Sequence, residues 1–525
     1  MSLAFLVGLP LLGATGIGLV HRSRHGMGLA WLLSLFTTLI VWGLSLVNTW
    51  NGALSEVKIP WLPQVAPAPS LLVFSLDSNR WPYVFITLNL GLAVFLTAPS
   101  RLALQSNPTN WAVNLFSMGW LILALSADDV IAIALTWTAL DGAAFITSHL
   151  LLGTGTRPNT VQLLSRLAST FLVLWVALSQ TPPHAQLTPQ SWTQSTALLF
   201  LLALGLRMGL IPLGSVSSPP IRERRGVWTS LNFQGPILGM ALLTQIADQG
   251  LAISINSTGL SVSLSLWGLL CALLWIRSSD AQQGLPFWIA AQASLVLICA
   301  LAPEASLPSW AIMTVFMGAM PLLALYDFPL RQWIGYFSLL TFSTLPFTPL
   351  ARGWQGLSNL TGTWIWSLNL AILITGWFNH ARSLDQPLVT SERWISVVYQ
   401  LGLSILPIGA WVLWALNPRV VTQGWQMASL TALLALIGII WWVYRPAWLP
   451  ASPIWLTTLL DQAHHRLVQV LAFDWLFDLL AFVQRQSKPI VQFLEATLES
   501  ESGILWALIL LAMILSMLQM SGGAP

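Results

Sequence analysis

Sixteen apolar runs of helix-spanning length, separated by short polar connections, constrain this chain more than any single motif. They lie at about 2–20, 28–47, 81–97, 110–125, 130–152, 162–178, 196–213, 227–247, 261–276, 286–302, 310–326, 331–350, 363–379, 394–416, 427–444 and 503–520. A run of roughly 20 apolar residues matches the thickness of a bilayer's hydrocarbon core. Only 7% of the 525 residues are charged, against roughly 25% in ordinary globular proteins, so a soluble fold could not cover its surface. The sequence therefore reads as an all-α polytopic membrane helix bundle of about 14–16 spans. The first run is expected to span rather than be cleaved, because no basic stretch precedes it and a second run follows at once.

Basic residues fall unevenly on the two sides of these spans. With the N-terminus outside, thirteen lie in inner segments, among them Arg22, Arg101, Arg166, Arg277 and Arg445, and four outside, at Lys58, Arg80, Arg352 and Arg419. This bias predicts an external N-terminus. Lys and Arg number 21 against 18 Asp and Glu, and no basic run exceeds Arg224–Arg225, so nucleic acid is not an expected partner. Cys271 and Cys299 both sit in apolar runs, which points to neither a disulfide nor a metal site.

Two segments are not expected to span. Residues 51–80 form a Pro-rich outer loop whose alternation in "KIPWLPQV" and "SLLVFSLDSNRW" predicts a short hairpin. Residues 454–500 place apolar positions at helical spacing against Asp461, Arg466, Asp474, Asp478, Arg485 and Lys488. Such an amphipathic helix lies on a membrane surface or another helix face, and the run at 503–520 would anchor it.

Two charges interrupt apolar runs. A charge at the bilayer centre costs at least a few kcal/mol, so each is a functional candidate. Asp141 lies about 16 Å into its helix, and Arg207 sits at similar depth beside Gly205, Gly209 and Pro212. Opposite signs at matching depth predict a buried ion pair, with His149 two turns further along. The pair reads equally as a register-fixing contact, and His149 as an interfacial histidine. Asp128 and Asp129 mark the outer mouth, either as a solvated turn or as carboxylates that concentrate cations.

Helix breakers recur in "LRMGLIPLGSVSSPPIRERRG", around Pro212, and in "FSTLPFTPLARG", around Pro346. Paired broken helices in two halves are a mark of inverted-repeat transporters, and ordinary loops at span ends are the other reading.

Four stretches in this order resemble the antiporter-like membrane subunits of respiratory complex I, the Mrp-type cation/proton antiporters and membrane hydrogenases. They are "DDVIAIALTWTALDGAAFITSHLLLG", "GLRMGLIPLG", "SDAQQGLPFWIAAQASLVLICAL" and "FPLRQWIGYFSLLTFSTLPFTPLARG". The final portion, "FDWLFDLLAFVQRQ" before "ESGILWALILLAMIL", resembles the lateral helix and last anchor of the largest such subunits. The resemblance implies two inverted five-helix repeats at 110–250 and 251–380. Three spans and the outer loop would precede them (1–109), flanking spans would follow (381–450), and a lateral segment with a final span would end the chain (451–525). It also implies a proton relay through buried lysines.

The departures bear on that relay. Thr138 stands where the family carries a glutamate after the tryptophan, and Arg207 stands at a lysine position. The linker's Lys-Arg reads Gln282-Gln283, and the family histidine falls near Phe233 or Gln234. The span 310–326, where the resemblance leads one to expect a lysine, has no charge. The only lysines are Lys58 and Lys488. Desolvation can lower a lysine's pKa toward neutrality, whereas a guanidinium stays charged. Arg207 is therefore expected to be a fixed countercharge, and any relay to use water, hydroxyls, Asp141 and His149. Two functions follow: a proton- or cation-translocating subunit of a complex-I-like or Mrp-type assembly with a degraded path, or a transport-silent paralogue that braces one. A lipid-linked sugar transferase also fits the hydropathy but would want large outer loops. Other membrane subunits and lipid are the expected partners, in a bacterial plasma membrane or an internal (thylakoid) membrane. No cofactor motif is visible, and redox chemistry is not expected of this chain.

Overall fold

The computed structural model of the chain describes residues 3–20, 26–50, 56–62, 70–100, 108–150, 156–179, 187, 189–211, 225–251, 257–302, 306–324, 331–357, 362–382, 392–416 and 424–444, with isolated positions between 458 and 488. Two units are distinguished, Met1–His464 and His465–Pro525, and the elements named here belong to the first. It is an all-α membrane bundle with one small hairpin. Helices α1 (Leu3–Val20) and α2 (Gly26–Trp50) lead into the hairpin β1 (Glu56–Leu62) and β2 (Ser70–Ser75), then α3 (Trp81–Thr97) and α4 (Pro108–Ser126). Next come α5 (Val130–Leu150), α6 (Thr156–Leu178), α7 (Gln194–Met208), α8 (Arg225–Asp248), α9 (Ser257–Arg277) and α10 (Ala281–Cys299). The remainder runs through α11 (Leu307–Ile312), α12 (Gly318–Leu323), α13 (Arg331–Phe342), α14 (Thr363–Arg382), α15 (Arg393–Leu416) and α16 (Trp425–Tyr444).

Seven of these helices are long and apolar enough to cross a membrane. A helix that is apolar all round belongs either in lipid or at the centre of a bundle. α3 takes the second course, with 94% of its span buried, while α1 and α2 turn most of their surface outward. The predicted hairpin is present: β1 pairs antiparallel with β2, Val57 opposite Phe74 and Ile59 opposite Leu72, with an irregularity between Pro60 and Leu62.

Local chemistry sets the helix ends, and three expected spans are shorter or more broken than their apolar runs. The run 196–213 is helical only to Met208, because Gly209 adopts a left-handed conformation (φ 84°) and caps α7. The run 331–350 yields a helix that stops at Phe342; a turn through Thr344 (φ 60°) and Pro346 follows, then a 3-10 segment, Pro349–Trp354. The run 310–326 contains a π-helical turn, Met313–Met317, between α11 and α12. Pro212 lies outside the described residues, as does the run 503–520.

Pro321, just after the π turn, has no N–H to give Met317. Two carbonyls of the turn accept from indoles: Trp288 Nε1 of α10 donates to Thr314 O at 2.9 Å, and Trp377 Nε1 of α14 to Met317 O at 2.8 Å. The described residues between 458 and 488 are helical and exposed, the apolar Leu479 and Phe482 among them.

Candidate functional site

Asp141, Arg166 and Arg207 meet inside the bundle on three successive helices. α6 packs against both α5 and α7, so one carboxylate can face two guanidiniums. Arg207 Nη1 donates to Asp141 Oδ2. Arg166 Nη1 stands 3.6 Å from Asp141 Oδ1, and its Nη2 donates at 3.4 Å to the carbonyl of Leu231 on α8. Side-chain exposures are 1% for Asp141, 0% for Arg207 and 9% for Arg166. The guanidinium of Arg207 also lies over Trp137, 4.4 Å from the ring centroid, in cation–π contact.

The helices explain the meeting. Trp137, Leu140, Asp141 and Ala144 are all buried and follow the i, i+3, i+4, i+7 stripe of one helix face. Thr138 is exposed, so the inward carboxylate of α5 has to come from the next turn. Arg207 lies in the last turn of α7, where the helix dipole favours a cation. Gly235 of α8 makes room: a Cβ there would stand 2.6 Å from the Arg207 carbonyl oxygen.

Two cavities flank the cluster. The larger, about 60 Å³, is lined by Gln162, Ser165, Arg166, Arg207 and Asn232 among others. The smaller, about 40 Å³, is bordered by Asp141 itself with Ser148, Asn159, Gln162, Arg166 and Asn232. A cavity of roughly 10–15 Å³ suffices for one water, so both have space for water. Chemically this is a buried carboxylate, with space for water beside it, held between two permanent cations.

The other expected positions are placed as follows. His149 is exposed and stacks on Phe145 at 6.2 Å between ring centroids; Phe145 in turn borders the smaller cavity. Asp129 is 4% exposed; its Oδ1 accepts from Ala132 N at 2.8 Å, capping α5, and its Oδ2 accepts from Val73 N of β2 at 2.7 Å. Asp128 accepts from Arg80 Nη2 at 2.5 Å and from Gln245 Nε2 at 3.3 Å. Pro346 lies in the turn after α13.

Three participants are not evident in the sequence. Arg166 counts there with the inner segments, near the start of the run 162–178, yet α6 begins at Thr156 and places it mid-helix. The polar start "TRPNTVQ" conceals how far the helix extends before the run, and so the depth of Arg166. Trp137 reads as core rather than as a cation's partner. Arg80, an outer-loop residue by sequence, is 2% exposed and also bonds Ser75 and Gln245. Among the described residues no group of three or more His, Cys, Asp or Glu could hold a metal ion.

Comparison with solved structures bears on the bundle as a whole. It matches a chain of the membrane-bound sulfane sulfur reductase, an archaeal respiratory membrane complex, over 98% of this chain and 99% of that one. The TM-score is 0.58 and the identity 14%. It also matches a chain of the Mrp complex from a Dietzia species over 100% of this chain and 63% of that one, with a TM-score of 0.50 and 14% identity. The chain shares its fold with proteins of these two membrane complexes. No protein-family profile matches the sequence, and no curated protein does. The chain is an integral membrane protein, and the likeness at this identity is one of fold.

Proposed function

We propose that this chain is an antiporter-like, proton-translocating subunit of a larger membrane assembly, of the complex-I-like or Mrp type. Its two five-helix repeats would span 110–250 and 251–380, and its ion path is reduced to the Asp141 cluster. One observation carries the reading: a buried carboxylate borders a cavity large enough for water, near the middle of its helix. Protons rather than metal cations suit the site, because two guanidiniums beside the carboxylate repel a metal ion. Water in the two cavities and nearby hydroxyls such as Ser148 and Ser165 would carry protons to and from Asp141. The shared fold with an archaeal respiratory membrane complex and an Mrp complex supports neighbouring membrane subunits as its partners. Proton flux into vesicles, measured for the parent and for Asp141→Asn, tests the reading. Loss of flux in the variant is expected, and a variant that conducts like the parent removes Asp141 from the route.

A second reading is a transport-silent brace. The indoles of Trp288 and Trp377 fasten the π turn in the span where the resemblance expects a lysine, which favours structure over conduction in that half. Removal of residues 454–520 tests the brace, which requires that the larger complex fall apart; an intact complex counts against it.

A further inference from the structure

We propose that the indole of Trp137 is the seal that keeps water on the hairpin side of the membrane from the Asp141 cluster, with Arg80 as its cap. The spacing comes first. Ile133, Trp137, Asp141 and Phe145 fall every fourth residue along α5, about 6 Å apart. Ile133 and Trp137 border a third cavity, together with Arg80 and Gln245, whereas Asp141 and Phe145 border the one of about 40 Å³. Trp137 lines neither of the two larger cavities, yet its ring lies 4.4 Å from the guanidinium carbon of Arg207, which does. The indole is thus the wall between the third cavity and the cluster.

The third cavity is narrow and apolar. It measures about 10 Å³, at the lower limit of the roughly 10–15 Å³ that one water needs. Its walls are mostly alanine, leucine and isoleucine, with Leu238, Ala241 and Leu242 on one stripe of α8. Apolar constrictions of this kind shed water. Trp137 is 1% exposed, and its Nε1 is buried without a hydrogen-bond partner among the described residues, so water does not reach it in this state. By contrast, the cavities beside Asp141 are lined by amides and hydroxyls, among them Gln162, Asn159, Ser148 and Ser165.

Arg80 closes the hairpin end. Its Nη1 donates to Ser75 O and Oγ at 3.0 and 3.1 Å and to Ser126 O at 3.3 Å, at the ends of β2 and α4. Its Nη2 donates to Asp128 Oδ1 and Gln245 Oε1 at 2.5 and 2.6 Å. One guanidinium, 2% exposed, so holds β2, the end of α4, Asp128 ahead of α5, and α8 together over the cavity. A carrier that exchanges protons with two sides of a membrane needs a barrier on each side in turn. Trp137 and Arg80 supply that barrier on the hairpin side. Their part in transport rests on the Asp141 reading; the seal itself follows from the packing.

The test uses the full-length chain in nanodiscs and brief hydroxyl-radical labelling, whose yield at a side chain reports water in contact with it. In the parent, Trp137 should label as weakly as Trp288 and Trp310, which are fully buried elsewhere, and far below Trp228, which lines both larger cavities. Arg80→Gln lifts the cap and raises the yield at Trp137 by about threefold or more, with Trp288 and Trp310 unchanged. Trp137→Ala removes the wall and raises the yield at Leu238 and Leu242 by a similar factor, and Trp137→Phe, which keeps an aromatic ring, raises it less. A variant that merely loosens the fold raises Trp288 and Trp310 as well; should Trp137→Ala do so, Trp137→Phe decides by the yield at Leu238. A parent Trp137 labelled like Trp228, or Leu238 unchanged in a Trp137 variant that keeps the fold, overturns the proposal. Proton flux is a separate readout. With Asp141 as the route, Trp137→Ala conducts faster than the parent. Should Asp141→Asn conduct like the parent, the transport reading falls while the labelling still decides the seal.

Discussion

The guanidinium carbon of Arg207 lies 4.4 Å above the ring of Trp137, and the same guanidinium donates to Asp141, one turn further along α5. One face of one helix thus supplies both a π surface and a carboxylate to a single cation on α7. A lysine in that place would keep the charge but lose the planar guanidinium and its fork of donors. Arg207→Lys is expected to destabilise the chain by about 1–2 kcal/mol, read as a lowered thermal midpoint in detergent. It also introduces a titratable amine, so proton flux measured across neutral pH should become steeper than in the parent.

Close approach of α7 to α8 depends on Gly235. An added Cβ would meet backbone, the Arg207 carbonyl at 2.6 Å, and come within 3.5 Å of Arg166 Nε. Gly235→Val is expected to cost about 1–3 kcal/mol through overpacking and to weaken the cluster. Gly142→Ala provides the contrast, on the helix that carries Asp141 but with nothing within 4 Å of the new Cβ. It should stabilise by about 0.5–1 kcal/mol through helix propensity. Unfolding midpoints of the two variants measure the difference.

The π turn rests on indole donors. Trp288→Phe keeps most of the ring and removes the hydrogen bond to Thr314 O, at a cost of about 0.5–1.5 kcal/mol. Hydrogen exchange should accelerate at 313–318 and stay unchanged in α5. Equal exchange in parent and variant would show that the turn holds without the indole.

At the hairpin end, Asp248 accepts from Asn79 Nδ2 at 2.8 Å. Desolvation raises its carboxyl pKa above the ordinary value, and the Asp77 carboxylate adds to the rise. A raised folded pKa means that its contribution is complete below the ordinary carboxylate range and is lost as pH climbs through the raised value. Asp248→Asn should therefore unfold at a higher temperature than the parent near neutral pH, by a few degrees at most. The two curves should converge in acid. Parallel curves at every pH would refute the assignment.

Membrane character, the hairpin and the Asp141–Arg207 pair were legible because each contrasts with its surroundings: charges stand out in apolar runs, and alternation stands out in a Pro-rich loop. The depth of Arg166 was not legible, since α6 starts in polar residues that look like the loop before it and places the arginine mid-helix rather than at the start of its run. The ends of α7 and α13 were hidden for the opposite reason. Hydropathy runs on through "GLIPL" and "STLPFTPL", while glycine, proline and a left-handed threonine stop the backbone. The role of Asp129 was hidden by its neighbour, because two adjacent carboxylates read as a solvated turn although one of them caps a helix.

That cap has a mechanical meaning. Asp129 holds the first turn of α5 with one oxygen and the β2 strand with the other, and Asp128 N donates to Val73 O beside it, so hairpin and helix are coupled at a buried joint. Whatever grips the hairpin from outside takes hold of the rod that carries Asp141, three turns further in.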